Sequence, residues 1–275
     1  MRTRPQRPKL GQNFLVSPTA QAAIADALGD IAHRTVVEIG PGRGAITSIL
    51  AGRARRLIAI ELDRDLAPRL REQFAGRDNV QILEQDILST DLAALRAPDE
   101  EKLFIVGNLP YYITSDILLH LFAAHQHIER AVVMIQREVA DRVAASPGTR
   151  DYGLLSATTQ LYARAEKLFI LPPGAFSPPP QVHSTVLRLT MVPRFEELQL
   201  TPAPDRVDSA AAFIAFLRTG FAQKRKMLAK NLRTAGYHAD AITAAFASCN
   251  IPPQSRAEQL DLPTMACLFR TLAQH

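Results

Sequence analysis

Cysteine is scarce in this chain, with Cys249 and Cys267 as the only two among 275 residues. One reads as part of a polar loop and the other as part of an apolar helix. This scarcity argues against a disulfide framework and for a reducing compartment. No second cysteine or histidine pair stands at ligand spacing, so no zinc site is expected. No apolar run approaches the roughly 18–20 residues of a membrane span, and the first residues lack an apolar segment of signal-peptide type. A cytoplasmic protein without membrane or metal partners is expected. Acidic residues are missing from two particular places. None precedes Asp26, although Arg2, Arg4, Arg7 and Lys9 do, and none interrupts Arg218, Lys224, Arg225, Lys226, Lys230 and Arg233. The formal net charge is only +5, so the placement of the cations says more than their sum. Two acid-free basic stretches point to a polyanionic partner.

The remaining 47% hydrophobic content is enough for a sizeable core, and its patterning is organised. Short β-branched runs at 36–39, 57–60, 80–83, 103–106 and 131–135 alternate with amphipathic helical stretches at 45–53, 65–74 and 115–125. That alternation is the signature of parallel βα units in a doubly wound sheet. Two further runs, at 165–170 and 184–189, have no long helix between them and suggest an antiparallel ending to a mixed, seven-stranded sheet. Prolines 193, 202 and 204 mark a linker. Beyond it, 208–222, 223–235, 238–248 and 263–273 carry helical periodicity. The expected organisation is an α/β domain over 1–195 and a small all-helical domain over 205–275.

Glu38-Ile39-Gly40-Pro41-Gly42-Arg43-Gly44 follows the first of these strands and opens a helix, so its glycines let a ligand approach the backbone at the sheet edge. A dinucleotide pyrophosphate is one candidate for such a loop, but it would meet Glu38 unfavourably. A cationic, phosphate-free cofactor suits the carboxylate better, and S-adenosylmethionine fits that description. Glu61 ends the next strand, where a carboxylate accepts hydrogen bonds from both ribose hydroxyls. Asp86 ends the third and can accept from an adenine amine, with Ile87 as an apolar neighbour. Asn108 ends the fourth. Four successive strands thus deliver a polar group to the edge where open α/β sheets bind ligands.

Asn108 opens the tetrapeptide Asn108-Leu109-Pro110-Tyr111. An adenine amine is a poor nucleophile because its lone pair is delocalised into the ring. Acceptors at the Asn108 side chain and at a backbone carbonyl of Leu109-Pro110 would draw on the amine hydrogens and turn that pair toward a methyl donor. Pro110 stiffens the turn, and Tyr111 offers a stacking face to an extruded base. Phe176, in the proline-rich loop 174–180, is a candidate clamp for the opposite face.

These segments, together with Leu10-Gly11-Gln12-Asn13-Phe14-Leu15 and Phe221-Ala222-Gln223-Lys224-Arg225-Lys226, resemble the KsgA (RsmA) family of small-subunit ribosomal RNA adenine dimethyltransferases. The resemblance spans nearly the whole chain. It implies a Rossmann-like S-adenosylmethionine-dependent methyltransferase, with the C-terminal helices recognising 16S rRNA in the immature small ribosomal subunit. It also implies two methyls added to each of two adjacent adenosines in the 3′-terminal hairpin loop. By the same resemblance Asn13, Leu15, Gly40, Glu61, Asp86 and Asn108 contact the cofactor, and Gln12, Asn13 and Leu15 fold over it as a lid. A monomer is expected. Three other readings stand beside this one: an Erm-type enzyme acting on 23S rRNA, an assembly factor whose RNA binding outweighs its catalysis, and a nicotinamide-dependent oxidoreductase, the last disfavoured by Glu38 and Pro41.

Overall fold

The computed structural model describes residues 12–96, 102–200 and 209–273. The basic cluster at Arg2, Arg4, Arg7 and Lys9, the Leu10-Gly11 start of the first motif and part of the expected linker fall outside the described residues. Compactness divides the chain into two units. One comprises 1–140 and 166–190, and the other 141–165 and 191–275. The second unit therefore takes in a stretch that the sequence pattern groups with the sheet.

The first unit is built on seven strands in the order β4-β3-β2-β5-β6-β9-β7. They are β2 (Thr35–Ile39), β3 (Arg56–Glu61), β4 (Val80–Glu84), β5 (Leu103–Asn108), β6 (Ile128–Gln136), β7 (Ala163–Leu171) and β9 (Ser184–Met191). The strands from β4 to β6 are parallel neighbours, and β9 joins β6 antiparallel. This is the mixed seven-stranded sheet expected from the sequence pattern, with an antiparallel strand after the parallel ones. The central strands read as continuous apolar runs because both sheet faces are covered: every residue of β2 is buried, as parallel sheets require. Helices α1 (Pro18–Ala27), α2 (Ala45–Leu50), α3 (Leu66–Gln73) and α4 (Thr114–Ala123) belong to this unit, and α5 (Arg137–Val143) follows β6. The sequence pattern missed α1, whose signal is Ser17-Pro18. Ser17 caps it by accepting from the Ala20 amide at 3.4 Å, and proline occupies the first helical position.

Strand order reverses between β2 and β5, which pair directly with Ile39 opposite Gly107. A Cβ on Gly107 would lie 2.7 Å from the Ile39 carbonyl oxygen, so only glycine lets these strands close at their carboxyl ends. A separate two-stranded ribbon pairs β1 (Phe14–Leu15) with β8 (Phe176–Ser177), placing Leu15 opposite Phe176.

The second unit includes α6 (Leu154–Tyr162), α7 (Ser209–Gly220), α8 (Leu228–Thr234), α9 (Ala239–Ser248) and α10 (Leu262–Leu272). Phe213, Phe216 and Phe269 cluster in it with ring centroids 5.4–6.4 Å apart, the first two stacked and Phe269 tilted against both. Asn231 fixes the turn before α8 by donating its amide to the Gly220 carbonyl at 2.6 Å. That turn carries Arg225 and Lys226, both exposed, while Lys224 is tied internally to the Arg150 carbonyl and lies 3.7 Å from Glu258. The expectation of unpaired cysteines is corrected here. Cys249 caps α9, Cys267 lies within α10, and the packing of those two helices brings the cysteines to a Cα separation of 6.0 Å as a disulfide. Eighteen residues of sequence concealed this proximity, and the cysteine count no longer supports a reducing compartment.

Candidate active site

A cavity of about 370 Å³ opens at the carboxyl ends of β2 to β5, within the range of small-molecule sites. The residues singled out in the sequence meet there. Asn13, Leu15, Gly40, Glu61, Asp86, Asn108, Leu109, Pro110 and Tyr111 all line it. Strand order explains the convergence, since β4, β3, β2 and β5 are adjacent and their ends form one continuous edge at the point of reversal.

The glycine loop is shaped for close approach. Gly40, Gly42 and Gly44 adopt φ of 64°, 60° and 78°, a left-handed conformation that side chains with a Cβ resist. Glu61, 4% exposed, is held at both oxygens. The Gly42 amide donates to Oε2 at 3.0 Å and the Asp63 amide to Oε1 at 2.9 Å. Burial still raises its pKa above the usual carboxylate value, against the opposing pull of these backbone bonds. Asp86 accepts from the Leu88 amide at 2.9 Å and caps the helical turn Ile87–Ser89, so Ile87, 6% exposed, is fixed beside it as an apolar wall.

Glu38 contributes something its sequence position did not disclose. It is buried, and its Oε2 accepts from Thr47 Oγ1 at 2.6 Å. Burial pushes its pKa from 4.5 to about 7, and the charge of Glu61 adds to the rise. A cavity lined by two carboxylates whose ionisation is opposed is complementary to a cation. With fixed acceptors at the next two strand ends, this donor set fits S-adenosylmethionine.

The segment before α1 docks over the loop through residues that sequence reasoning undervalued. The Phe14 ring lies under the Arg43 guanidinium, 4.4 Å from its centroid. A Cβ on Gly42 would come within 2.9 Å of that ring, so Gly42 makes room for Phe14 as well as supplying the turn. Gln12 donates to Asp63 at 3.2 Å. Asn108 Nδ2 donates to the Asn13 carbonyl at 2.9 Å, joining this segment to the tetrapeptide.

Within the tetrapeptide, the Leu109 amide donates to the Met134 carbonyl at 3.0 Å, and the Leu109 side chain is buried. The Pro110 carbonyl accepts from Thr114 Oγ1 at 3.0 Å and from the Ile113 amide at 3.3 Å. Tyr111 begins a single helical turn, Tyr111–Ile113. Phe176 departs from expectation. It is 3% exposed, belongs to the apolar core and does not line the cavity. Paired with β1, it lies opposite Leu15 in this packing. Among the described residues no group of three or more histidine, cysteine or acidic side chains is positioned to hold a metal ion, and no helix is long and apolar enough to cross a membrane.

Comparison with known proteins agrees with this geometry. Ribosomal RNA small subunit methyltransferase A of Acidobacterium capsulatum is 61% identical over 266 residues, covering 97% of this chain and 91% of that protein. The protein of the same name from Koribacter versatilis is 52% identical, covering 97% and 94%. Among solved structures, the 23S rRNA methyltransferase ErmE superposes with a TM-score of 0.69 at 26% identity, covering 95% of this chain and 100% of that one. A dimethyladenosine transferase from Plasmodium falciparum, at 23% identity, shares the fold with a TM-score of 0.74 over 93% of this chain and 95% of that one. The family model described as ribosomal RNA adenine dimethylase matches residues 4–274, and the chain belongs to that family.

Proposed function

We propose that this enzyme transfers methyl groups from S-adenosylmethionine to the N6 amines of two adjacent adenosines in the 3′-terminal hairpin loop of 16S rRNA, during small-subunit biogenesis. The methyl donor supplies a cationic sulfonium whose departure needs no metal or covalent nucleophile. What the chain contributes is orientation. The observation that carries the reading is the bond from Asn108 Nδ2 to the Asn13 carbonyl. It commits the amide nitrogen to the protein, so that the side-chain oxygen serves as acceptor for an amine hydrogen. The Pro110 carbonyl is already engaged by Thr114 and Ile113, which makes the Leu109 carbonyl the backbone acceptor for the second hydrogen. Two acceptors draw electron density toward the nitrogen and hold its lone pair in line with the methyl group. Tyr111 stacks the extruded base.

In this reading Glu61 binds the ribose hydroxyls, Asp86 binds the cofactor adenine amine beside Ile87, Gly40 admits the amino-acid portion, and Asn13 and Leu15 cover it. The exposed cations Arg218, Arg225, Lys226, Lys230 and Arg233 engage RNA phosphates, and the helical region 205–275 is the RNA-recognition domain. The enzyme works as a cytoplasmic monomer on the immature small subunit.

The structural likeness to ErmE over nearly the whole chain favours one second reading, methylation of 23S rRNA. Both readings are tested by incubating unmodified small and large subunits with labelled methyl donor and mapping the labelled nucleotides. Label on two adjacent small-subunit adenosines is expected, and label confined to the large subunit refutes the proposal. Asn108→Ala should abolish transfer, by roughly a hundredfold or more for a lost orienting group, while RNA affinity survives. Unchanged turnover in that variant sinks the mechanism.

A further inference from the structure

Tyr111 is tied by its hydroxyl to a strand 73 residues away, with Oη 2.7 Å from Oγ of Ser184. Ser184 is fully buried and opens β9 opposite Gln136 of β6. The backbone of the Asn108–Tyr111 turn is held by other means, namely the Leu109 amide on Met134 and Thr114 on the Pro110 carbonyl. Those bonds do not set where the Tyr111 ring stands, because its first side-chain torsion still has three staggered wells. A hydrogen bond at the phenol end, the point farthest from the backbone, selects one of them, and it leaves the turn of the ring about its own long axis free because Oη lies on that axis. The tether is also firm from its other end, since a buried serine hydroxyl left without a partner carries a desolvation penalty.

We infer that Ser184 is a positioning residue for methyl transfer: by holding the Tyr111 hydroxyl it fixes the place at which the ring stands to stack the extruded adenine, and it acts on turnover through that ring. The inference rests on the reading of Tyr111 as the stacking face. It assigns a purpose to a buried hydroxyl that packing alone does not require, because alanine fills nearly the same space in a strand. It also explains why the turn carries tyrosine where phenylalanine would stack a base equally well. A tethered ring is preorganised, so the arriving base does not have to select its rotamer.

The test is a double-mutant cycle of Tyr111→Phe and Ser184→Ala, assayed on small subunits lacking the modification. kcat and the KM for subunits are measured, and cofactor affinity is followed by calorimetry. Each single variant should lower kcat/KM for the subunit about three- to tenfold, the worth of one hydrogen bond. Cofactor affinity should be unchanged, and the double variant should be no worse than the weaker single. Tyr111→Phe alters the partly exposed end of the pair and keeps the test decisive if Ser184→Ala folds poorly. Full activity in Tyr111→Phe, single effects that multiply in the double variant, or a loss of cofactor affinity matching the loss of turnover would each overturn the inference while leaving the proposed function intact. Absence of methylation by the unaltered chain would overturn both.

Discussion

Replacing Glu38 by glutamine removes a titrating group from the floor of the cavity while keeping an acceptor for Thr47, whose hydroxyl donates to it at 2.6 Å. Burial, chiefly, moves the Glu38 pKa from 4.5 to about 7. At ~1.36 kcal/mol per unit, that displacement corresponds to about 3 kcal/mol. Below the unfolded value the group is neutral in both states and contributes nothing to pH dependence. As pH rises between 4.5 and about 7, only the unfolded chain releases the proton, so the folded state loses stability progressively. Above the folded value both states are ionised and the loss levels off. Urea unfolding of the unaltered chain and of Glu38→Gln should therefore diverge across this window. Their difference should grow from near zero at the acid end to about 3 kcal/mol in favour of the variant above neutrality. Glu61, whose pKa burial also raises, has the same sign but is present in both proteins and leaves the difference largely unaffected. A difference that stays flat across the window refutes the reasoning. The same group links cofactor binding to protons. A cationic ligand favours the carboxylate, so binding near neutrality should release a fraction of a proton, read by calorimetry in buffers of different ionisation enthalpy, and Glu38→Gln should remove most of that release.

Charge reversal at Arg225 and Lys226 should weaken RNA binding and flatten its salt dependence by about one to two units of slope, leaving cofactor affinity alone; unaltered RNA affinity would make that turn merely solvated. Lys224 is a poorer choice, because its contacts with the Arg150 carbonyl and Glu258 would be lost as well. Gly107→Ala should destabilise the fold by about 1–3 kcal/mol through overpacking, since the new methyl meets the Ile39 carbonyl at 2.7 Å; urea midpoints check this. Phe176→Ala should cost about 3–5 kcal/mol of stability as a core truncation. If instead stability holds and only RNA turnover falls, Phe176 contacts the base after all.

The central strands were legible because they are buried on both faces, so Val36-Val37, Leu57-Ile58 and Ala131-Val132-Val133 announce themselves as apolar runs. Glu61, Asp86 and Asn108 were legible for a related reason. A polar residue ending such a run has few places to be except the carboxyl edge of the sheet. α1 was harder, because an alanine-rich segment shows little amphipathic contrast. Phe176 is hard to place from sequence because an aromatic in a proline-rich loop looks the same whether it faces a ligand or the core. The pairing of Leu15 with Phe176 is a contact across more than 160 residues that no local pattern encodes.

The sequence by itself determined the α/β alternation, the glycine loop, the order of strand-end acceptors and the Asn108–Tyr111 turn, all of which arise from local periodicity and backbone preference. Tertiary structure alone decided that Thr47 caps a buried Glu38, that Phe14 packs on Gly42 beneath Arg43, that Cys249 meets Cys267, and that Ser184 holds Tyr111. Each of these depends on which distant segments the folded sheet and helices bring within hydrogen-bond or packing distance, and an interior packed to crystal density leaves little freedom in that choice once the core is formed.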